Sequence, residues 1–219
     1  MEIKIDENIK SLFPAMKIGL IRASVVNSET PDALWAEIES ASERIRASYE
    51  LSWINKRPAI AATRELYKKT GKDPNRYRVS SEALCRRVVK GMDLYRIDTL
   101  VDMINLISMC SGYAIGGFDA DKIVGDVVTL GVGLHDEKFE GIGRGLLNVE
   151  GLPLYRDAVG GIGSPTSDEE RTKITLETTH LQMQVNAFAE EMPLGDTLEW
   201  SVSLLEKYAS ASDISVSIF

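Results

Sequence analysis

The chain has 219 residues and a mass of 24.2 kDa, with 44% hydrophobic and 26% charged residues and a net charge of -8. That length supports one substantial core. No apolar stretch reaches the ~18 to 20 residues of a membrane span, and the opening MEIKIDENIK has no continuous apolar run of the secretory kind, so the cytoplasm is the expected compartment.

In chain order, AMKIGLIRASVV alternates Met16, Ile18 and Leu20, then Ala23 and Val25, which predicts a strand. Thr30 is placed to cap a following helix, with Pro31 at its first position and an apolar stripe of Leu34, Trp35, Ile38, Ile45 and Tyr49. A second helix starts at Pro58 and closes at Gly71, before Asp73-Pro74. RVSSEALCRRVVKG reads as a third, capped by Ser80 or Ser81 and stopped at Gly91. The fourth starts near Asp98-Thr99. With Thr99 as its cap, Asp102 reaches back to the free amides of the first turn. Asn105 in the same helix is flanked by Ile104, Ile107 and Ser108, so its amide is expected to be buried and facing or supporting a pocket. A loop is expected next, through Gly112, Gly116, Gly117 and Phe118.

Beyond Asp119 the chain breaks into short runs with turn glycines, and THLQMQVNAFAE alternates cleanly as a strand. TLEWSVSLLEKYA closes the pattern as an amphipathic helix. A strand, helices and then mostly strands predict an α+β fold.

Charge is unevenly spread. Residues 56–90 hold eleven of the 25 basic and three of the 33 acidic residues, a net of +8 that leaves -16 elsewhere. Such a window is either a phosphate-contacting face, with Lys68, Lys69, Arg78, Arg86 and Arg87 as its candidates, or two ordinary helices with solvated polar sides.

Two histidines and two cysteines in no ligand spacing give no metal site, and Cys85 and Cys110 read as reduced core thiols. The glycine runs Gly141 to Gly145 and Gly160 to Gly163 lack a dinucleotide fingerprint, the Walker pattern is missing, and no cofactor is expected.

The order of YRVSSEALCRRVVKG, LVDMINLISMCSGYAIGGFD, the DAVGG turn and SDEERTKITLETTHLQMQV resembles the tRNA-editing domain of the phenylalanyl-tRNA synthetase beta subunit, its fused third and fourth B domains. The resemblance runs from about Tyr77 to Phe188, with residues 1–76 as an N-terminal extension and 189–219 as a C-terminal helix and tail of the same single domain. It implies a layered α+β fold containing an unusual β-sandwich flanked by helices. It also implies tRNA or aminoacyl-tRNA as partner, with a free amino acid as a second ligand, and two alternatives for function: a trans-acting hydrolase of a mischarged aminoacyl-tRNA, or a binding module without turnover.

The family's V-D-x-x-N is matched by Val101, Asp102 and Asn105, and its F-D by Phe118 and Asp119. Its paired glycines are matched by Gly160 and Gly161. Gly116 stands where the synthetase pattern has histidine, and Gln184 where it has glutamate. The resemblance thus implies catalytic or water-positioning roles for Asn105 and Gln184, with Gly116, Phe118, Gly160 and Gly161 around the substrate. With both departures neutral, the pocket is expected to be open and its binding insensitive to pH between ~5 and 8.

Overall fold

A computed structural model describes all residues, Met1 to Phe219. The chain opens with strand β1 (Glu2–Ile5), helix α1 (Glu7–Leu12) and strand β2 (Lys17–Ser24). Four helices follow: α2 (Asp32–Ser48), α3 (Pro58–Lys69), α4 (Ser80–Val89) and α5 (Thr99–Ser111). The second half is mostly strand: β3 (Ala114–Asp119), β4 (Val127–Val132), the short pair β5 (Glu140–Gly141) and β6 (Gly145–Leu146), β7 (Pro153–Arg156), β8 (Gly161–Gly163) and β9 (His180–Ala187). Helix α6 (Leu194–Ala209) and strand β10 (Ser212–Ile218) complete the order.

Two four-stranded sheets, in the orders β1-β4-β7-β8 and β10-β2-β9-β3, lie face to face. Strand alternation decides what each face carries. On β2 and β9 the residues Ile21, Ala23, Leu181, Met183, Val185 and Ala187 point to one side, where they join α2, α4, α5 and α6 in the largest core. Ile18 and Leu20 point to the other side and meet Ile3, Val128, Leu130, Tyr155 and Ile162 of the opposite sheet. The result is three layers, helices on a sheet on a sheet, an α+β architecture with a β-sandwich seam. No helix is long and apolar enough to cross a membrane.

The helix ends differ in detail from the sequence pattern. Pro31, not Thr30, takes the cap position of α2, and the Thr30 hydroxyl instead donates to Asp102 at 2.5 Å. Val79 precedes α4 with no side-chain cap from Ser80 or Ser81. Helix α5 is capped by Asp98, whose carboxylate accepts from Val101 N–H at 2.9 Å, and Asp102 reaches back one residue further to Ile97 N–H at 3.1 Å. Gly71, Gly91 and Gly112 adopt positive φ where α3, α4 and α5 end, as left-handed caps require. The expected loop at Gly116 is strand β3, buried along its whole length. Its glycines let flanking side chains pack tightly: a Cβ at Gly117 would collide with the Ile104 side chain.

Candidate functional site

Residues directly opposite each other on neighbouring strands share a face. Across the seam face of the central sheet this gives three rows: Ala114, Asn186 and Ile18; then Gly116, Gln184 and Leu20; then Phe118, Gln182 and Arg22. The first row is satisfied. Tyr155 of the opposite sheet donates its hydroxyl to Asn186 Oδ1 at 2.6 Å, and Asn186 Nδ2 donates to Ala114 O at 2.9 Å. Burial holds the Tyr155 phenol far above its ordinary pKa, so it remains a donor.

The next two rows have no such partners. Gln182 and Gln184 are fully buried, and neither the oxygen nor the nitrogen of either amide bonds within the chain. With Arg22 Nε they account for five of the eight buried side-chain nitrogen and oxygen atoms left without a partner, so the polar deficit is concentrated in this seam. Buried polar groups are nearly always matched by protein, water or ligand. Within the chain these atoms have no partner.

An acid lies at the same place. Asp168 Oδ1 sits 3.5 Å from where a Cβ on Gly116 would stand and 2.6 Å from one on Gly163, so the carboxyl packs between the two sheets over two residues without side chains. Its Oδ2 accepts Gly117 N–H at 3.3 Å. Asp168 keeps some exposed surface, yet packed protein surrounds the carboxyl, and this burial pushes it up to about 7 against the opposing Gly117 bond. The seam therefore holds a carboxyl where only neutral groups were expected. The titrating group comes from a segment that strand periodicity does not connect to this row.

Phe118 shares the space: its ring edge lies 2.8 Å from a Cβ position on Gly116 and 2.6 Å from one on Gly163. The seam is closed at this row, a correction to the open pocket expected from the sequence. Surface cavities of about 580 and 450 Å³ lie against α2 and beside Trp53, and none of the candidate site residues lines either.

The remaining candidates are dispersed. Asn105 is half-exposed on α5 and makes no side-chain hydrogen bond within the chain, a correction to its expected burial. Helix α5 packs on the helix side of the central sheet, so that sheet stands between Asn105 and Gln184. Gly160 is at an open turn, its N–H donating to Asp157 at 3.1 Å. A Cβ on Gly161 would meet Phe139 at 2.9 Å, which makes it a packing glycine. Sequence reasoning missed Arg22, Gln182, Gly163 and Asp168 as site residues. Only the polar side of the alternating β9 pattern signalled any of them.

In the basic window, Arg57, Arg64 and Lys72 are buried and serve the fold. Arg57 donates to Glu191 at 2.7 Å and to the carbonyls of Met109 and Cys110, pinning the end of α5. Glu82, also buried, binds Arg64 at 2.8 Å with Arg78 at 3.6 Å and Arg86 at 3.9 Å. Arg87 donates to Asp93 O and lies over Tyr95. Lys68, Lys69 and Arg78 remain exposed, Lys68 facing Glu65 at 3.5 Å and Lys69 standing over the Phe13 ring. Cys85 is buried and its thiol is pushed up to about 11 by that burial, and both cysteines are free thiols.

The model of the B3/4 domain matches residues 62–193, more than half of the chain. A solved N-terminal fragment of the phenylalanyl-tRNA synthetase beta-subunit from Pyrococcus horikoshii is similar at 15% identity and a TM-score of 0.47, covering 97% of this chain and 50% of that one. The chain thus spans about half the length of that fragment. Among curated proteins no match is found.

Proposed function

Because the chain belongs to the B3/4 domain family, we propose that it is a tRNA-associated protein in which displacement of the Phe118 ring opens the closed Gly116 row to the aminoacyl end of a tRNA, and that this row hydrolyses the ester, clearing a mischarged amino acid in trans. The observation that carries this reading is Gln184: a fully buried amide with neither atom bonded, directly across from Gly116 and beside the Asp168 carboxyl. Such a row supplies a donor for the ester carbonyl oxygen and a base for the attacking water. Water oxygen attacks the carbonyl carbon as Asp168 Oδ1 takes the proton. The ester C–O bond then breaks, and the proton returns to the leaving sugar oxygen. Oriented dipoles and a positioned base each supply a recognised share of such rate enhancement. The exposed Lys68, Lys69 and Arg78 are the proposed phosphate contacts, while Arg86 and Arg87 are half-buried and donate to the carbonyls of Leu51 and Asp93.

The Phe118 ring fills the space over Gly116 and so counts against chemistry at that row, which leaves a second reading, binding of tRNA or a free amino acid elsewhere on the chain without turnover. Incubation of the purified protein with a panel of correct and mischarged aminoacyl-tRNAs separates the two. The hydrolytic reading expects release of at least one amino acid, rising with pH through about 7 as Asp168 ionises and falling by about 10²- to 10⁴-fold in Asp168→Asn. Binding with no release across the panel leaves the module, and absence of binding removes both.

A further inference from the structure

Four buried or half-buried arginines of this chain each face a carboxylate: Arg57 with Glu191, Arg64 with Glu82, Arg156 with Glu137 and Arg171 with Asp157. Arg86 also faces Glu82, and the half-buried Arg87, which has no carboxylate, is held by Asp93 O and the Tyr95 ring. Arg22 has neither kind of partner. It is half-buried, it makes no ion pair or side-chain hydrogen bond, and its Nε is buried without a partner. Directly opposite on β9 stands Gln182, fully buried and with both amide atoms unbonded, and on the other side stands Ser215 of β10. Asp213, which accepts the Ser24 hydroxyl at 3.1 Å, makes no ion pair with Arg22. A half-desolvated cation without a counter-charge is unfavourable, and the guanidinium fork is shaped for an oxyanion.

We infer that Arg22 and Gln182 form an oxyanion subsite at the end of the seam, and that its ligand is a phosphate group with a hydroxyl donor beside it. The fork and the Gln182 amide nitrogen supply donors to the anion. The Gln182 carbonyl requires a donor in return, which a protonated phosphate or a neighbouring sugar hydroxyl provides and an ionised carboxylate does not. The site does not need the hydrolytic reading to be correct, and Arg22 lies outside the residues matched to the B3/4 domain. Its place one row from Gln184 would put a bound phosphate within the same seam.

The experiment titrates the full chain with inorganic phosphate, adenosine 5′-monophosphate and acetate at constant ionic strength, followed by calorimetry and thermal melting. Saturable binding of both phosphates, with acetate weaker, is expected. Arg22→Met is expected to weaken phosphate by about 10- to 100-fold, the loss of a charge-assisted bond. Gln182→Leu should reduce phosphate more than acetate. Should Arg22→Met fail to fold, Arg22→Lys keeps the stem and charge while removing the fork, and weakened phosphate binding in a protein with wild-type melting supports the site. Wild-type protein indifferent to millimolar phosphate, unchanged affinity in the folded Arg22 variant, or acetate bound as tightly as phosphate each overturns the assignment. Loss of deacylation across the aminoacyl-tRNA panel with phosphate binding intact would refute the hydrolytic reading alone.

Discussion

At the residue scale Asp168 makes a sharp demand. Its folded-state pKa lies near 7, above the value of a free carboxyl, so the folded state holds a proton that the unfolded chain has released. Its contribution to stability is greatest at low pH and is lost as pH rises to about 7, beyond which it is flat. Asp168→Asn should therefore gain on the wild type by about 2 kcal/mol between pH ~5.5 and ~8, since each pKa unit corresponds to about 1.4 kcal/mol. Urea melts at the two pH values check this, and a gap independent of pH would mean that the carboxyl is not held in the seam. Asn105 behaves oppositely. Half-exposed and unbonded, Asn105→Ala should change stability by no more than about 0.5 kcal/mol, so any loss of ligand response in that variant would report direct binding rather than folding.

At the scale of elements, much was legible and the exceptions have physical causes. Helices α2 to α6 and strands β2 and β9 stand where periodicity puts them, with the caps of α2, α4 and α5 displaced from the expected residues, because an amphipathic stripe and a core-facing alternation are written directly in side-chain order. Strand β3 was hidden because AIGGFD carries glycines that read as loop but serve close packing against Ile104, Ile174 and Phe118. Strands β1 and β10 escaped because they are short or exposed edges rich in charge or serine. The site was half legible: Gly116 and Gln184 share a row as neighbours on β3 and β9, whereas Asp168 and Arg22 arrive from segments whose meeting only the tertiary fold sets. The ion pair between α3 and α4 gives another test. Glu82→Ala leaves the buried Arg64 without its carboxylate and should destabilise by about 3–5 kcal/mol, while Lys68→Ala, on an exposed pair, should change stability by no more than about 1 kcal/mol. Denaturant titration of the two variants separates buried from surface charge.

At the scale of the molecule, the resemblance to the synthetase beta-subunit domain holds, the family match starting earlier and ending later than the motifs alone indicated. The basic window is not one electrostatic face. Three of its eleven charges are internal and others are tied to backbone carbonyls, which leaves a smaller exposed set on an acidic molecule. If that set meets tRNA, affinity should fall steeply with salt, and Lys68→Ala with Lys69→Ala should lower the slope of log affinity against log salt by up to about 2, near one for each phosphate that is no longer neutralised. A slope unchanged in the double variant would place the phosphate-binding cations elsewhere.

The side-chain amide resonances of Gln184 and Gln182 bear most directly on the seam. Nitrogen-15 spectra recorded with a tRNA acceptor-end analogue carrying a non-hydrolysable amide-linked amino acid, and with the same analogue uncharged, ask whether these buried unpartnered amides meet the aminoacyl group. The Gln184 pair should shift with the charged analogue and stay in place with the uncharged one, and Gln184→Leu should abolish the difference in affinity between them. Gln184 resonances indifferent to the charged analogue while it is bound would contradict the seam as the aminoacyl site.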